Sequence, residues 1–225
     1  MSLPPGILAR GPWAMDDIVA TWDADHYDPP SVATDAADVA IAALAERGSP
    51  SHDGLAARLV DWSETDDGGL RFRLQPLRWA LRLVEGDASE SMASLCVIRD
   101  TEGRWLAGRR AAWLSSWAGR WALGAGGAVD VGESPADTLV RELREEWSVA
   151  PARVRGEALV RLPSQMVMFV GQAWLAPGVE EQVVPDHEHD EFAWWPADVD
   201  AWPEEADAPL RHMARLLDAP APGAG

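Results

Sequence analysis

Gly126-Gly127-Ala128-Val129-Asp130-Val131-Gly132-Glu133-Ser134-Pro135-Ala136-Asp137-Thr138-Leu139-Val140-Arg141-Glu142-Leu143-Arg144-Glu145-Glu146-Trp147-Ser148-Val149 reads as a tight turn followed by a helix with two distinct faces. Ser134 suits an N-cap, Pro135 suits the first helical position, and Asp137 stands where an acid accepts orphan backbone N–H groups. The spacing therefore predicts a helix that begins at Ser134 or Pro135. At about 100° per residue, Glu142, Glu145 and Glu146 fall as i, i+3 and i+4 on one face. Ala136, Leu139, Leu143 and Trp147 gather on the neighbouring face, which is the one to bury.

Three carboxylates at contact spacing repel one another by a few tenths of a kcal/mol per pair, on the order of the usual helical side-chain coupling. A hard divalent cation with oxygen ligands, Mg2+ or Mn2+, offsets that repulsion, and a bridging diphosphate supplies further oxygens. The competing reading is a solvated acidic helix paired internally with Arg141 and Arg144. Gly126-Gly127 and Glu133, at fixed distances upstream, favour the metal.

The same positions carry a family pattern. Gly127, five residues, Glu133, seven residues, then Arg141-Glu142-Leu143-Arg144-Glu145-Glu146-Trp147-Ser148-Val149 resembles the box of the Nudix hydrolases, with Ser148 in place of the final glycine. The resemblance implies an α/β fold, a Nudix-type α/β/α sandwich around a mixed β-sheet. It implies Glu142, Glu145 and Glu146 as metal ligands, Glu145 sharing metal binding with water activation. Arg141 is implied to orient the carboxylates, with Glu133 as its partner or as an outer ligand. Gly126 and Gly127 let the backbone approach a metal-bound phosphate. The implied activity is water attack at a phosphorus of a diphosphate linkage, on a nucleoside diphosphate derivative or related nucleotide. A catalytically weak domain that senses a nucleotide or binds a partner is the alternative. A non-glycine residue at position 148 costs roughly 1 kcal/mol at a left-handed cap, but every implied ligand precedes it.

Many enzymes of this kind take a further acid from a loop outside the box. Asp186-His187-Glu188-His189-Asp190-Glu191 is the reservoir here, with Glu188, Asp190 and Glu191 as candidate general bases; the run reads equally as a metal site of its own or as a solvated polar loop. In the loop from Arg109 to Gly119, Arg109 is a candidate for phosphate and Trp117, like Trp113, for a base or sugar. Most of the 13 tryptophans belong to the core, among them Trp121, Trp147, Trp174 and one of Trp194 and Trp195.

The resemblance spans residues 89–218. Within it, Ser94 to Arg99 and Arg104 to Arg110 read as hairpin strands, as do Val154 to Leu162 and Met166 to Leu175, with a short strand at Glu191 to Pro196 and a last helix from Ala206 to Leu217. Residues 219–225 read as a disordered tail. Residues 1–88 form an expected α+β extension packed on the main domain. It holds a short helix at Met15 to Trp22, an amphipathic helix in the alanine-rich region 34–48 that stops before Gly48, and a strand pair, Leu59 to Trp62 with Leu70 to Leu74. Around His52-Asp53-Gly54 and Arg58 it is similar to leaders of some Nudix proteins.

Composition bounds the partners. Acidic residues number 37 against 19 basic ones, a formal charge of −18, which disfavours nucleic acid as a partner and suits a small phosphorylated ligand held through metal. The single cysteine, Cys96, sits in an apolar run and excludes an intrachain disulfide. No apolar run spans a bilayer and the start has no signal-peptide pattern, so the expected location is the cytoplasm, without membrane association. A homodimer is expected by family analogy alone.

Overall fold

The computed structural model describes residues 5–49, 53–114 and 116–219. The tail from Pro220 onward and His52 of the leader-like segment lie outside the described residues. The chain alternates short strands with three helices, α1 (Ser31–Glu46), α2 (Pro135–Trp147) and α3 (Ala208–Asp218). The main sheet runs in the order β1 (Gly6–Trp13), β9 (Arg153–Arg161), β10 (Val167–Trp174), β5 (Met92–Arg99), β6 (Trp105–Arg110), β11 (His189–Trp195). Two short strands branch from it: β7 (Trp121–Leu123) on β6 and β8 (Ala125–Ala128) on β5. β5 and β10 run parallel and their neighbours antiparallel, so the sheet is mixed. A second sheet of three strands orders β2 (Ile18–Trp22), β4 (Leu70–Arg78) and β3 (Leu55–Glu64).

Each face of the main sheet buries one helix, which makes the α/β/α sandwich. On one face Leu139, Leu143 and Trp147 of α2 pack with Phe169, Met92 and Cys96, and Leu70, Phe72 and Leu74 of the small sheet join the same core. On the other, Leu210, Ala214 and Leu217 of α3 pack with Val97, Trp105, Ala107 and Trp195. The Cys96 thiol is fully buried, and that burial pushes its pKa far above the usual range.

Two segments and the burial of two tryptophans differ from the reading of the sequence. Met15 to Trp22 is a 3-10 turn, Met15–Asp17, followed by strand β2, because Ile18 to Trp22 pairs in parallel with Leu70 to Leu74. Residues 6–13, in which no element is evident from sequence, form β1 and extend the main sheet by pairing with β9. Trp121 and Trp174 are half-buried, whereas Trp147 and Trp195 are core. The Trp174 ring is instead covered by the Arg153 guanidinium, 3.7 Å from its centroid, a stacking contact that suits a half-exposed tryptophan. Among the described residues no helix is long and apolar enough to cross a membrane.

Candidate active site

The start of α2 follows the local chemistry. Ser134 Oγ accepts from Asp137 N at 3.2 Å, and the Asp137 carboxylate accepts from Ser134 N at 2.8 Å. This reciprocal cap fixes the first turn and hence the azimuth of every side chain after it. Ala136, Leu139, Leu143 and Trp147 are buried against the sheet, which turns Glu142 and Glu146 toward β8 and leaves Glu145 outward.

Glu142 lies against the Gly127 backbone so closely that a Cβ at that position would come within 2.1 Å of its Oε1. Glu146 Oε1 accepts from Gly126 N at 2.9 Å. Its Oε2 is buried and has no hydrogen-bond partner among the described residues. An unpartnered buried carboxylate oxygen costs about 1–3 kcal/mol or more when charged, so burial drives the Glu146 pKa well above the ordinary carboxylate range, and the neighbouring Glu142 charge raises it further. Burial also raises Glu142, while the adjacent Arg141 charge pulls it back.

Arg141 is the hub of the carboxylates. Its Nε donates to Glu133 Oε1 at 2.9 Å, one terminal nitrogen reaches Glu142 Oε1 at 2.6 Å and Glu145 Oε2 at 2.9 Å, and the other donates to the Ala128 carbonyl at 2.9 Å. Glu133 is held in turn by the Thr138 hydroxyl at 2.8 Å. These surrounding anions raise the Arg141 pKa above its ordinary value, against the effect of burial. Glu145 is thereby drawn toward Arg141. Among the described residues, no group of three or more His, Cys, Asp or Glu side chains is gathered as a ready metal cluster. The donors that fit a cation best are Glu146, with its free oxygen, and Glu142, seated in the space a glycine leaves open.

The loop candidates separate. Glu188 faces Arg110 at 3.5 Å, on the side of Glu146. Asp190 is exposed. Glu191 faces Arg109 at 3.5 Å and lines a different recess of about 500 Å³ with Arg120, Trp121, Glu205 and Asp207. Arg109 is placed away from the carboxylates for a simple reason: strand residues alternate faces. Gly108 and Arg110 look toward Trp147 and Glu188, while Ala107 and Arg109 look toward the α3 side. Trp117 is also outside the carboxylate group. Its ring is stacked by Arg120, whose guanidinium is 4.3 Å from the centroid and pairs with Asp207 at the start of α3. Trp113 is stacked on His187 at 5.4 Å. A cavity of about 710 Å³ opens beside Met15, Ile18, Glu133, Val140 and Arg141, and neither Glu142 nor Glu146 lines it.

His189, named from the sequence only as part of the Asp186–Glu191 run and not as a candidate base, is the side chain of that loop set against Glu146. It is buried, its Nε2 is 3.7 Å from Glu146 Oε2, and its Nδ1 is 3.2 Å from Asp186 Oδ1. The available sequence clue is the alternation of His and acidic residues along Asp186–Glu191, which reads as a metal site.

The fold and this carboxylate helix agree with a match of the NUDIX domain family to residues 90–217, more than half of the chain. The chain belongs to the Nudix family and is a Nudix hydrolase. Among solved structures it is similar to the MutT protein from Methanosarcina mazei Go1, at 22% identity over 57% of this chain and 92% of that one, with a TM-score of 0.43. It is also similar to a putative Nudix hydrolase family member from Chromobacterium violaceum, at 24% identity over 57% and 79% of the two chains, with a TM-score of 0.41. A Nudix hydrolase from M. smegmatis matches at 18% identity over 70% and 94%, with a TM-score of 0.38. No curated protein matches the chain.

Proposed function

We propose that this protein is a metal-dependent pyrophosphohydrolase that cleaves the diphosphate linkage of a nucleoside diphosphate derivative or related nucleotide. The observation that carries the reading is the Glu146 carboxylate, buried, fixed through one oxygen by Gly126 N–H and free at the other. Such a group is costly in an empty fold and useful only to a ligand that brings positive charge. Glu146, Glu142 and Glu145 would hold the ion. Bound Mg2+ or Mn2+ supplies charge neutralisation at the phosphate oxygens and a more acidic water.

The chain's own groups do the rest. Gly126 and Gly127 leave room for a phosphate at the backbone, and Arg141, tied to Glu133, Glu142 and Glu145, holds the carboxylates in position. Glu188 is the nearest of the three proposed bases to Glu146. The products are two phosphate-bearing molecules, and no protein nucleophile is needed. The cytoplasm is the proposed location.

The test is a panel of nucleoside triphosphates, nucleotide sugars, a dinucleotide and dinucleoside polyphosphates, each incubated with Mg2+ or Mn2+ beside Glu146→Gln. Release of phosphate products from one class by the wild type, lost in the variant, supports the reading. Binding without turnover in every case favours the sensor alternative.

A further inference from the structure

Two buried side chains, Glu146 and His189, face one another beside α2. Glu146 Oε2 has no hydrogen-bond partner among the described residues, and His189 Nε2 stands 3.7 Å from it, beyond the length of a hydrogen bond. The His189 side chain is only 1% exposed, so its orientation is set by what surrounds it.

That surround is specific. The imidazole lies 4.3 Å from the Trp147 ring. It occupies space that exists because residue 108 is glycine: a Cβ there would come within 2.3 Å of His189 Cδ2 and 2.7 Å of the Trp147 ring. On the other edge, Nδ1 meets Asp186 Oδ1 at 3.2 Å. Asp186 is itself anchored, its backbone N donating to the Glu146 carbonyl at 2.8 Å and its Oδ1 accepting from Glu188 N at 2.9 Å. A carboxylate can only accept, so Nδ1 is the donor in this contact, and in the neutral imidazole that leaves the Nε2 lone pair on the side of Glu146.

A carboxylate that orients a histidine through Nδ1 while Nε2 points at a second anionic oxygen is the arrangement by which proteins prepare an imidazole ligand. We infer that His189 Nε2 is a direct metal ligand beside Glu146 Oε2, giving the site a mixed nitrogen and oxygen donor set for a divalent transition ion such as Mn2+. The inference rests on the metal-dependent reading of the site and adds a ligand that the glutamate face alone does not contain. Its consequence is selectivity, since imidazole suits transition ions and Mg2+ prefers oxygen.

The experiment is pulsed electron paramagnetic resonance on the Mn2+-loaded full chain, unlabelled and with 15N-histidine, with Mn2+ and Mg2+ affinities measured beside it. The expected result is nitrogen hyperfine coupling that changes isotope pattern on labelling and disappears in His189→Gln. The same variant should weaken Mn2+ binding roughly 10-fold or more while moving Mg2+ binding less. The labelled wild type decides the question even if the variant does not fold. Mn2+ binding that depends on Glu146 but shows no histidine nitrogen coupling overturns the inference, and His189 is then a partner through water or as an imidazolium. Absence of any Glu146-dependent Mn2+ binding overturns both the inference and the metal reading beneath it.

Discussion

Position 148 has a left-handed backbone, φ 57° and ψ 29°, and closes α2 with a serine where the resemblance expects glycine. Ser148→Gly should raise stability by about 1 kcal/mol, read as a higher urea midpoint, with turnover unchanged because no carboxylate of the site moves. A different residue gives a pH-dependent outcome. Burial raises the Glu157 carboxyl above its ordinary value, although Arg155 pulls it down. A raised folded pKa means that the stability tied to this group is fully present below the unfolded value and is lost as pH rises through the folded one. Glu157→Gln should therefore gain on the wild type as pH rises from about 4 toward 7, starting near the ordinary glutamate pKa, in paired urea titrations. A gain that shrinks with pH would contradict this account. At this scale the sequence showed residue types and missed parity. Nothing local distinguishes Arg109 from Arg110, yet one faces Glu191 and the other Glu188. His189 was similarly hidden, because a register shift between His189 and Glu191 breaks the simple alternation along β11.

Elements were legible where their cause is local. Helix α2 begins at Pro135 because Ser134, Pro135 and Asp137 supply a cap within four consecutive residues, a signal independent of the rest of the chain. Ser134→Ala should cost about 1 kcal/mol, seen as a lower melting temperature, and should leave the sheet intact. An unchanged melting temperature would mean that tertiary packing alone sets the helix start. Elements were missed where their cause is distant. Gly6–Trp13 has no clear period of its own and becomes a strand by pairing with Arg153–Arg161. Ile18–Trp22 likewise becomes β2 against β4, where a local reading suggests a helix. The glutamate face was readable from helical spacing, but its distribution was not. Arg141 draws Glu145 outward through a local i,i+4 pair, while Gly126 and Gly127 receive Glu146 and Glu142 from 20 and 15 positions away, contacts that helical spacing does not show.

For the whole molecule, the N-terminal residues are built into the same core as the carboxylate helix. Trp13 is buried and packs 6.1 Å from Phe169, which in turn meets Phe72 of the small sheet at 6.0 Å. Trp13→Ala should cost roughly 3–5 kcal/mol, the range for removing a buried aromatic, and should destabilise the site together with the fold in thermal unfolding followed at both the tryptophan signal and metal binding. A loss confined to the N-terminal residues would show two independent units. The net charge of −18 repels a free polyanion, which makes a cation at the glutamates the natural bridge to a phosphorylated substrate. We propose that this bridge is anchored on Glu146. The most direct measurement is kcat/KM of the wild type and Glu146→Gln with saturating Mg2+ on the best substrate, beside the melting temperature of both metal-free proteins. The expected result is a fall of roughly 100-fold or more in kcat/KM, with a melting temperature at pH 7 no lower than that of the wild type, since a buried unpartnered charge has been removed. Activity retained within about tenfold in a folded variant, a small effect on the mutant-kinetics scale, would contradict it.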